Sequence, residues 1–117
     1  MPYTLDGNAL NVSDEPQVSD GTMWVPFRAV GEALGAKVEY EPSNKVAMMF
    51  HGDKIISVKI GDPTVDVDGE KQELQAPPYV SEGDTWVPVR FYNAPLGYGL
   101  NVDLNTNQVN LTSPVAA

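Results

Sequence analysis

"DGTMWVPFRAVGEALGA" (residues 20–36) is the stretch on which the fold turns, because its period changes in mid-course. It opens on an Asp-Gly turn signal and runs as a short extended segment through residues 23–26. From Phe27 the spacing becomes helical: Phe27, Val30, Ala33 and Leu34 share one face, and Gly35 stands where a left-handed glycine ends a helix. Pro26 biases Val25 toward the extended region, so it punctuates the junction of strand and helix.

The same stretch is written a second time. "GDTWVPVRFYNAPLGYG" (83–99) repeats Trp-Val-Pro-x-Arg after an acidic, Gly-containing turn and before Leu-Gly. Shifting the sequence by 62 positions matches Asp6/Asp68, Gly7/Gly69, Pro16/Pro78, Val18/Val80, Ser19/Ser81 and Gly21/Gly83. The register continues through Trp24/Trp86, Val25/Val87, Pro26/Pro88, Arg28/Arg90, Leu34/Leu96 and Gly35/Gly97, twelve identities without a gap. Val46 and Val109 align after one extra residue. Internal self-similarity of this kind predicts a tandem duplication. The chain is expected to be one domain over 1–117, with repeats of about 3–50 and 65–112 bridged by 51–64.

Each repeat reads alike. "YTLDGNALNV" (3–12) and "VDVDGEKQEL" (65–74) alternate apolar and polar residues around Asp-Gly, the signature of a hairpin with a type I′ turn. Strands follow at "KVEYE" (37–41), "KVAMMF" (45–50), "LNVDL" (100–104) and "QVNLT" (108–112). Pro95 interrupts the second helix, which is expected to shrink to one turn and a loop. Trp24 and Trp86 are expected to fill the core between sheet and helix. Arg28 and Arg90 fall on the first helical turn, where a cation opposes the macrodipole. They are therefore expected to meet a carboxylate or carbonyls in the paired half; the sharper alternative is an anionic ligand shared across a pseudo-twofold.

Composition narrows the function. A hydrophobic content of 42% with five Tyr, three Phe and two Trp supports a folded core. The net charge of −9, from 16 acidic and 7 basic residues, argues against nucleic acid, since phosphate binding needs Lys and Arg. It equally disfavours an anionic membrane surface, and no apolar run reaches the roughly 20 residues of a membrane span. Cysteine is absent, which removes disulfides, thiolate metal sites and Cys nucleophiles. The opening Met1-Pro2-Tyr3-Thr4 does not resemble a signal peptide, so in an exported protein this stretch would belong to the mature part.

Together, "WVPFRAVGEALGAKVEYEPSNKVAMM" and "VDGEKQELQAPPYVSEGDTWVPVRF" closely resemble the copper amine oxidase N-terminal-like, or stalk, domain. That module also occurs in secreted and surface-layer-associated proteins of Gram-positive bacteria. The resemblance implies an α+β fold in which antiparallel sheet curls around a short helix, placed outside the cell. It also implies a scaffolding role, because copper and the tyrosine-derived quinone belong to other domains of the enzyme.

The residues themselves hold little that could be catalytic. His51 is the single histidine, and copper sites are built mainly from several imidazoles, so copper is not expected. The serines sit in turns, without a nucleophile elbow or a phosphate-cradling loop. "DLNTNQ" (103–108) begins like a calcium loop, but Gln108 replaces the obligatory Gly and Pro114 the final Glu; at most a weak surface calcium site is expected. Tyr40, Tyr79, Tyr92 and Tyr98 are candidate sugar contacts, with cross-strand packing as the plainer role. The N-terminal strand 3–12 and the C-terminal "VNLTS" (109–113) are expected at sheet edges, where copies could pair.

The expectation is thus a non-enzymatic stalk or spacer of a bacterial surface protein, partnered by its neighbouring domains or by copies of itself. The alternative is a module binding cell-wall polysaccharide. Trp24, Pro26, Arg28, Leu34 and Gly35, with Trp86, Pro88, Arg90, Leu96 and Gly97, form its structural motif.

Overall fold

The structure, a computed structural model, describes residues 3–93 and 95–113. The first half forms β1 (Tyr3–Leu5), β2 (Asn8–Ala9), β3 (Gln17–Ser19), β4 (Thr22–Pro26), α1 (Phe27–Ala33), β5 (Lys37–Glu41) and β6 (Val46–His51). After β7 (Lys54–Lys59) come β8 (Thr64–Val67), β9 (Glu70–Glu73), β10 (Tyr79–Ser81) and β11 (Asp84–Pro88). A 3-10 turn (Val89–Tyr92), β12 (Gly99–Asp103) and β13 (Gln108–Thr112) complete the order. Strands hold 51% of the described residues and helices 10%, so the described fold is mostly β with a single α-helix, rather than α+β. The second helix is short for a chemical reason: Pro95 lacks the N–H that a continuing helix needs.

Three sheets assemble from these strands, in the orders β12-β13-β1-β2, β10-β11-β4-β3 and β5-β6-β7-β8-β9, and one of them is a half-barrel. Every pairing is antiparallel except β1 with β13, which run parallel. The turns obey local rules. Asp6-Gly7 and Asp68-Gly69 have φ of 51° and 84°, and 51° and 90°; only a two-residue turn with both φ positive matches the twist of the flanking strands. At the end of α1, Gly35 has φ 92°. There Ala36 N–H reaches Gly31 C=O at 2.9 Å and Gly35 N–H reaches Glu32 C=O at 3.0 Å, a Schellman closure.

In the middle sheet β4 lies against β11 so that Trp24 faces Pro88, Val25 faces Val87 and Pro26 faces Trp86. Val25 thus opposes its own 62-residue counterpart, Trp24 opposes the counterpart of Pro26 and Pro26 that of Trp24, so the pairing is unchanged when the two strands exchange places.

Of the two expected edges, the segment 3–12 supplies one, since β2 ends its sheet, while the expectation for the C-terminal strand is overturned. β13 is central, between β12 and β1, and β1 is covered on its other side by β2. Tyr3, Val109 and Leu111 are buried there, and removing them from the core would cost more than an open edge gains. Thr4 Oγ1 donates to Asn110 Oδ1 at 2.7 Å across the parallel pair. At its end, the N–H of Ser113 donates to Asp6 Oδ1 at 2.9 Å and the Ser113 hydroxyl donates to Oδ2.

Those bonds favour the ionised carboxylate. The Ser113 hydroxyl first, and its N–H second, hold Asp6 below the usual carboxylate range, against a small desolvation effect. A depressed folded value means the contribution is present above the unfolded value of about 3.9 and is lost as pH falls through the folded one. Ser113→Ala should therefore raise the Asp6 pKa in an NMR titration and shift acid unfolding. An unmoved Asp6 would show that the Ser113 bonds do not form in solution.

One apolar cluster draws on all three sheets and on α1. Phe27, Val30, Met49, Ile56, Val87, Phe91 and Leu96 are at its centre. The rings of Phe27 and Phe91 lie 5.3 Å apart between centroids, joining the start of α1 to the 3-10 turn.

Candidate functional site

Two clefts open where sheets leave their edges unpaired. The first, of about 400 Å³, lies between β3 and β12 and is lined by Val18, Met23, Arg90, Leu100, Val102 and Leu104. The second, of about 290 Å³, lies between β10 and β5 and is lined by Phe27, Arg28, Tyr40, Val80 and Asp84. Seven lining positions of one cleft sit 62 residues from seven of the other, among them Val18 and Val80, Gly21 and Gly83, Arg90 and Arg28, and Val102 and Tyr40. Among the described residues, four of the five large exposed apolar side chains line these clefts: Val18 (50%), Leu104 (71%), Val80 and Tyr40; Ile55 is the fifth.

The arginines of the repeated motif therefore line clefts framed by strands of both halves. Arg28 Nε lies 3.5 Å from Glu32 Oε2, and its guanidinium donates to Val38 C=O at 3.5 Å, both within its own half. Among the described residues neither arginine has a hydrogen-bond or ion-pair partner in the paired half. Arg90 is exposed and makes no ion pair among the described residues.

Trp24 and Trp86 are buried, at 8% and 5% exposure, but they lie outside the main apolar cluster. On alternating strands Met23, Val25 and Val87 take the core face, so the tryptophans and Pro26 and Pro88 share the opposite one. Trp24 packs edge-on against Tyr79, with centroids 4.8 Å apart. This second, smaller cluster replaces the expected packing between sheet and helix. Leu34 and Gly35 end α1, while Leu96 is buried and Gly97, with φ 85°, closes the loop after the 3-10 turn.

The four tyrosines separate. Tyr40 is exposed in the second cleft and Tyr79 is half-buried under Trp24. Tyr92 is fully enclosed, its hydroxyl donating to Phe27 C=O at 2.7 Å, and burial pushes its pKa far up. Tyr98 is buried as well, its Oη 2.8 Å from His51 Nε2. Burial first, and the charge of Asp6 second, raise its pKa. Tyr92 and Tyr98 are thus interior residues and not surface contacts. Tyr92→Phe should cost about 1 kcal/mol, because it removes a buried hydrogen bond to the Phe27 carbonyl. Tyr3→Phe should cost less than that or stabilise, since the buried Tyr3 hydroxyl has no partner among the described residues. Chemical unfolding of both variants checks the order.

Copper does not fit this donor set. The one imidazole is engaged with Tyr98, and among the described residues no group of three or more His, Asp or Glu could hold a metal ion. The carboxylate that opens the calcium-like stretch serves its own turn: Asp103 accepts from Asn105 N–H at 2.9 Å, as Asp66 does from Gly69 N–H at 2.8 Å. Such local caps are the ordinary use of Asp in tight turns. Among the described residues no helix is long and apolar enough to cross a membrane.

Sequence reasoning missed the clefts. Their signal was nevertheless present, since Val18/Val80 and Gly21/Gly83 are identical pairs at positions that the core does not need.

The chain is thus a mostly β domain with a single α-helix among the described residues and two clefts between sheet edges. The chain belongs to the copper amine oxidase N-terminal domain family, whose model matches residues 4–111; in the enzyme this domain is a non-catalytic accessory unit. It is also similar to a protein named protease inhibitor from Brevibacillus choshinensis, 32% identical over 81 residues. That match takes in 69% of this chain and 25% of the relative, so the chain spans about a quarter of that protein's length.

Proposed function

We propose that this chain is a non-catalytic stalk or spacer module of a bacterial surface protein, working outside the cell to hold or present neighbouring domains. The observation that carries this reading is the family match across residues 4–111, to a domain that is non-catalytic in its parent enzyme. The acidic, Cys-free composition suits a soluble, self-repelling spacer.

The same reading takes the chain as two repeats, about 3–50 and 65–112, bridged by 51–64 and sharing one core. The interchangeable register of β4 and β11, the matched turns and the matched cleft positions support it. The wall-polysaccharide alternative is less well supported, because sugar platforms need exposed aromatics and, of the four candidate tyrosines, only Tyr40 is exposed.

Co-sedimentation of the purified chain with Gram-positive sacculi tests the proposal, with a no-wall control and with Ca²⁺ or chelator. A spacer stays in the supernatant throughout. Pelleting only with wall would replace the spacer by a wall-binding module, and pelleting without wall would indicate self-assembly through the free strand edges.

A further inference from the structure

We propose that the cleft between β3 and β12 binds an extended peptide segment of a partner protein, one that carries an apolar side chain next to a carboxylate. This goes beyond the spacer reading and does not depend on it.

Three observations converge on that occupant. First, β3 and β12 are both sheet edges, and neither makes a backbone bond beyond its ladder partner among the described residues. An exposed edge offers a row of N–H and C=O groups to an incoming strand. β12 is the better template, with five residues and no charge before Asp103. Second, Val18, Leu100, Val102 and Leu104 provide an apolar floor, and Leu104 is the most exposed large apolar side chain among the described residues. A strand paired to β12 would direct alternate side chains onto it. Third, the one formal charge in the lining is the cation of Arg90, in a chain of net charge −9. A guanidinium beside an apolar floor recognises a carboxylate, as a paired, charge-assisted hydrogen bond.

The second cleft provides a built-in control. It has the same frame, but Arg28 is already paired with Glu32, and Asp84 stands in the lining. That cleft presents no unsatisfied cation, so the same peptide should ignore it.

The test begins with selection of phage-displayed random peptides on the full chain. Labelled copies of the winning sequence are then titrated by fluorescence anisotropy. The proposal expects alternating apolar residues with an Asp or Glu at a fixed offset. Arg90→Glu should weaken binding at least about tenfold, while Arg28→Glu leaves it within twofold. A peptide with Lys in place of its acid should bind Arg90→Glu better than the wild type, and N-methylation of its strand-pairing amides should abolish binding. Circular dichroism verifies the fold, with Arg90→Gln as a second variant.

Winners without an acid, affinity indifferent to Arg90, equal loss in Arg28→Glu, or no enrichment would each overturn the proposal. So would self-association of the chain that Arg90→Glu removes, which would assign the cleft to a second copy. The sacculus assay does not read peptide binding, so failure of the peptide test leaves the spacer reading standing, and wall binding leaves the peptide proposal standing.

Discussion

Phe91→Ala should lower the melting midpoint by on the order of 15 °C or more. Phe91 is fully buried, its ring 5.3 Å from Phe27 and 5.0 Å from Tyr92 between centroids. A buried Phe→Ala change costs about 3–5 kcal/mol, because transfer free energy is lost and a cavity remains. In a domain of about this size each kcal/mol moves the midpoint by roughly 4–8 °C. Total stability is typically about 5–15 kcal/mol, so the variant would keep only part of it.

The site matters because of what meets there. Phe27 opens α1 in the first half of the chain and Phe91 lies in the 3-10 turn of the second, with the Tyr92 hydroxyl bonded to the Phe27 carbonyl. A double-mutant cycle on Phe27→Leu and Phe91→Leu should accordingly show non-additive losses of about 0.5–1.5 kcal/mol. Additive losses, or a midpoint lowered by only a few degrees, would mean that the two halves do not share one core.

Deleting residues 107–117 should abolish cooperative unfolding altogether. β13 is the sole ladder partner of β12 and the parallel partner of β1, and Val109 and Leu111 are buried in the common core. Its loss exposes two strand edges and opens the interior, a combined cost comparable with the whole stability of a small domain. Near-ultraviolet circular dichroism should lose its fixed signals and a hydrophobic dye should bind. If β13 were an edge strand, the truncated chain would retain a sharp, lowered transition; that outcome would refute the central placement. Leu111→Ala is the milder companion, at about 2–5 kcal/mol.

Much of the local structure was legible because its causes are local. Asp-Gly between alternating runs marked the hairpins at residues 6–7 and 68–69, since few other pairs accept two positive φ angles. The end of α1 was written in Gly35, and the loss of the second helix in Pro95. The repeat offset of 62 even foreshadowed the matched clefts, although nothing in the residues marked those positions as surface.

Alternation could not decide which face of a strand looks inward. Trp24 and Val25 are both apolar neighbours on β4, and only the pairing with β11 assigns Val25 to the main core and Trp24 to the smaller cluster. The tyrosines were undecidable in the same way: Tyr40 and Tyr92 belong to similar patterns, yet one is exposed in a cleft and the other is sealed against Phe27.

The sequence by itself thus determined the turns, the helix end, the element order and the family, because each rests on backbone preferences or motifs spanning a few residues. Only the tertiary structure decided that β1 runs parallel to β13, with Thr4 bonded to Asn110, and that two unpaired edges frame a cleft around Arg90. Strands of one period compete for the same partners. The arrangement that buries the most apolar surface wins, and that is a property of the whole chain.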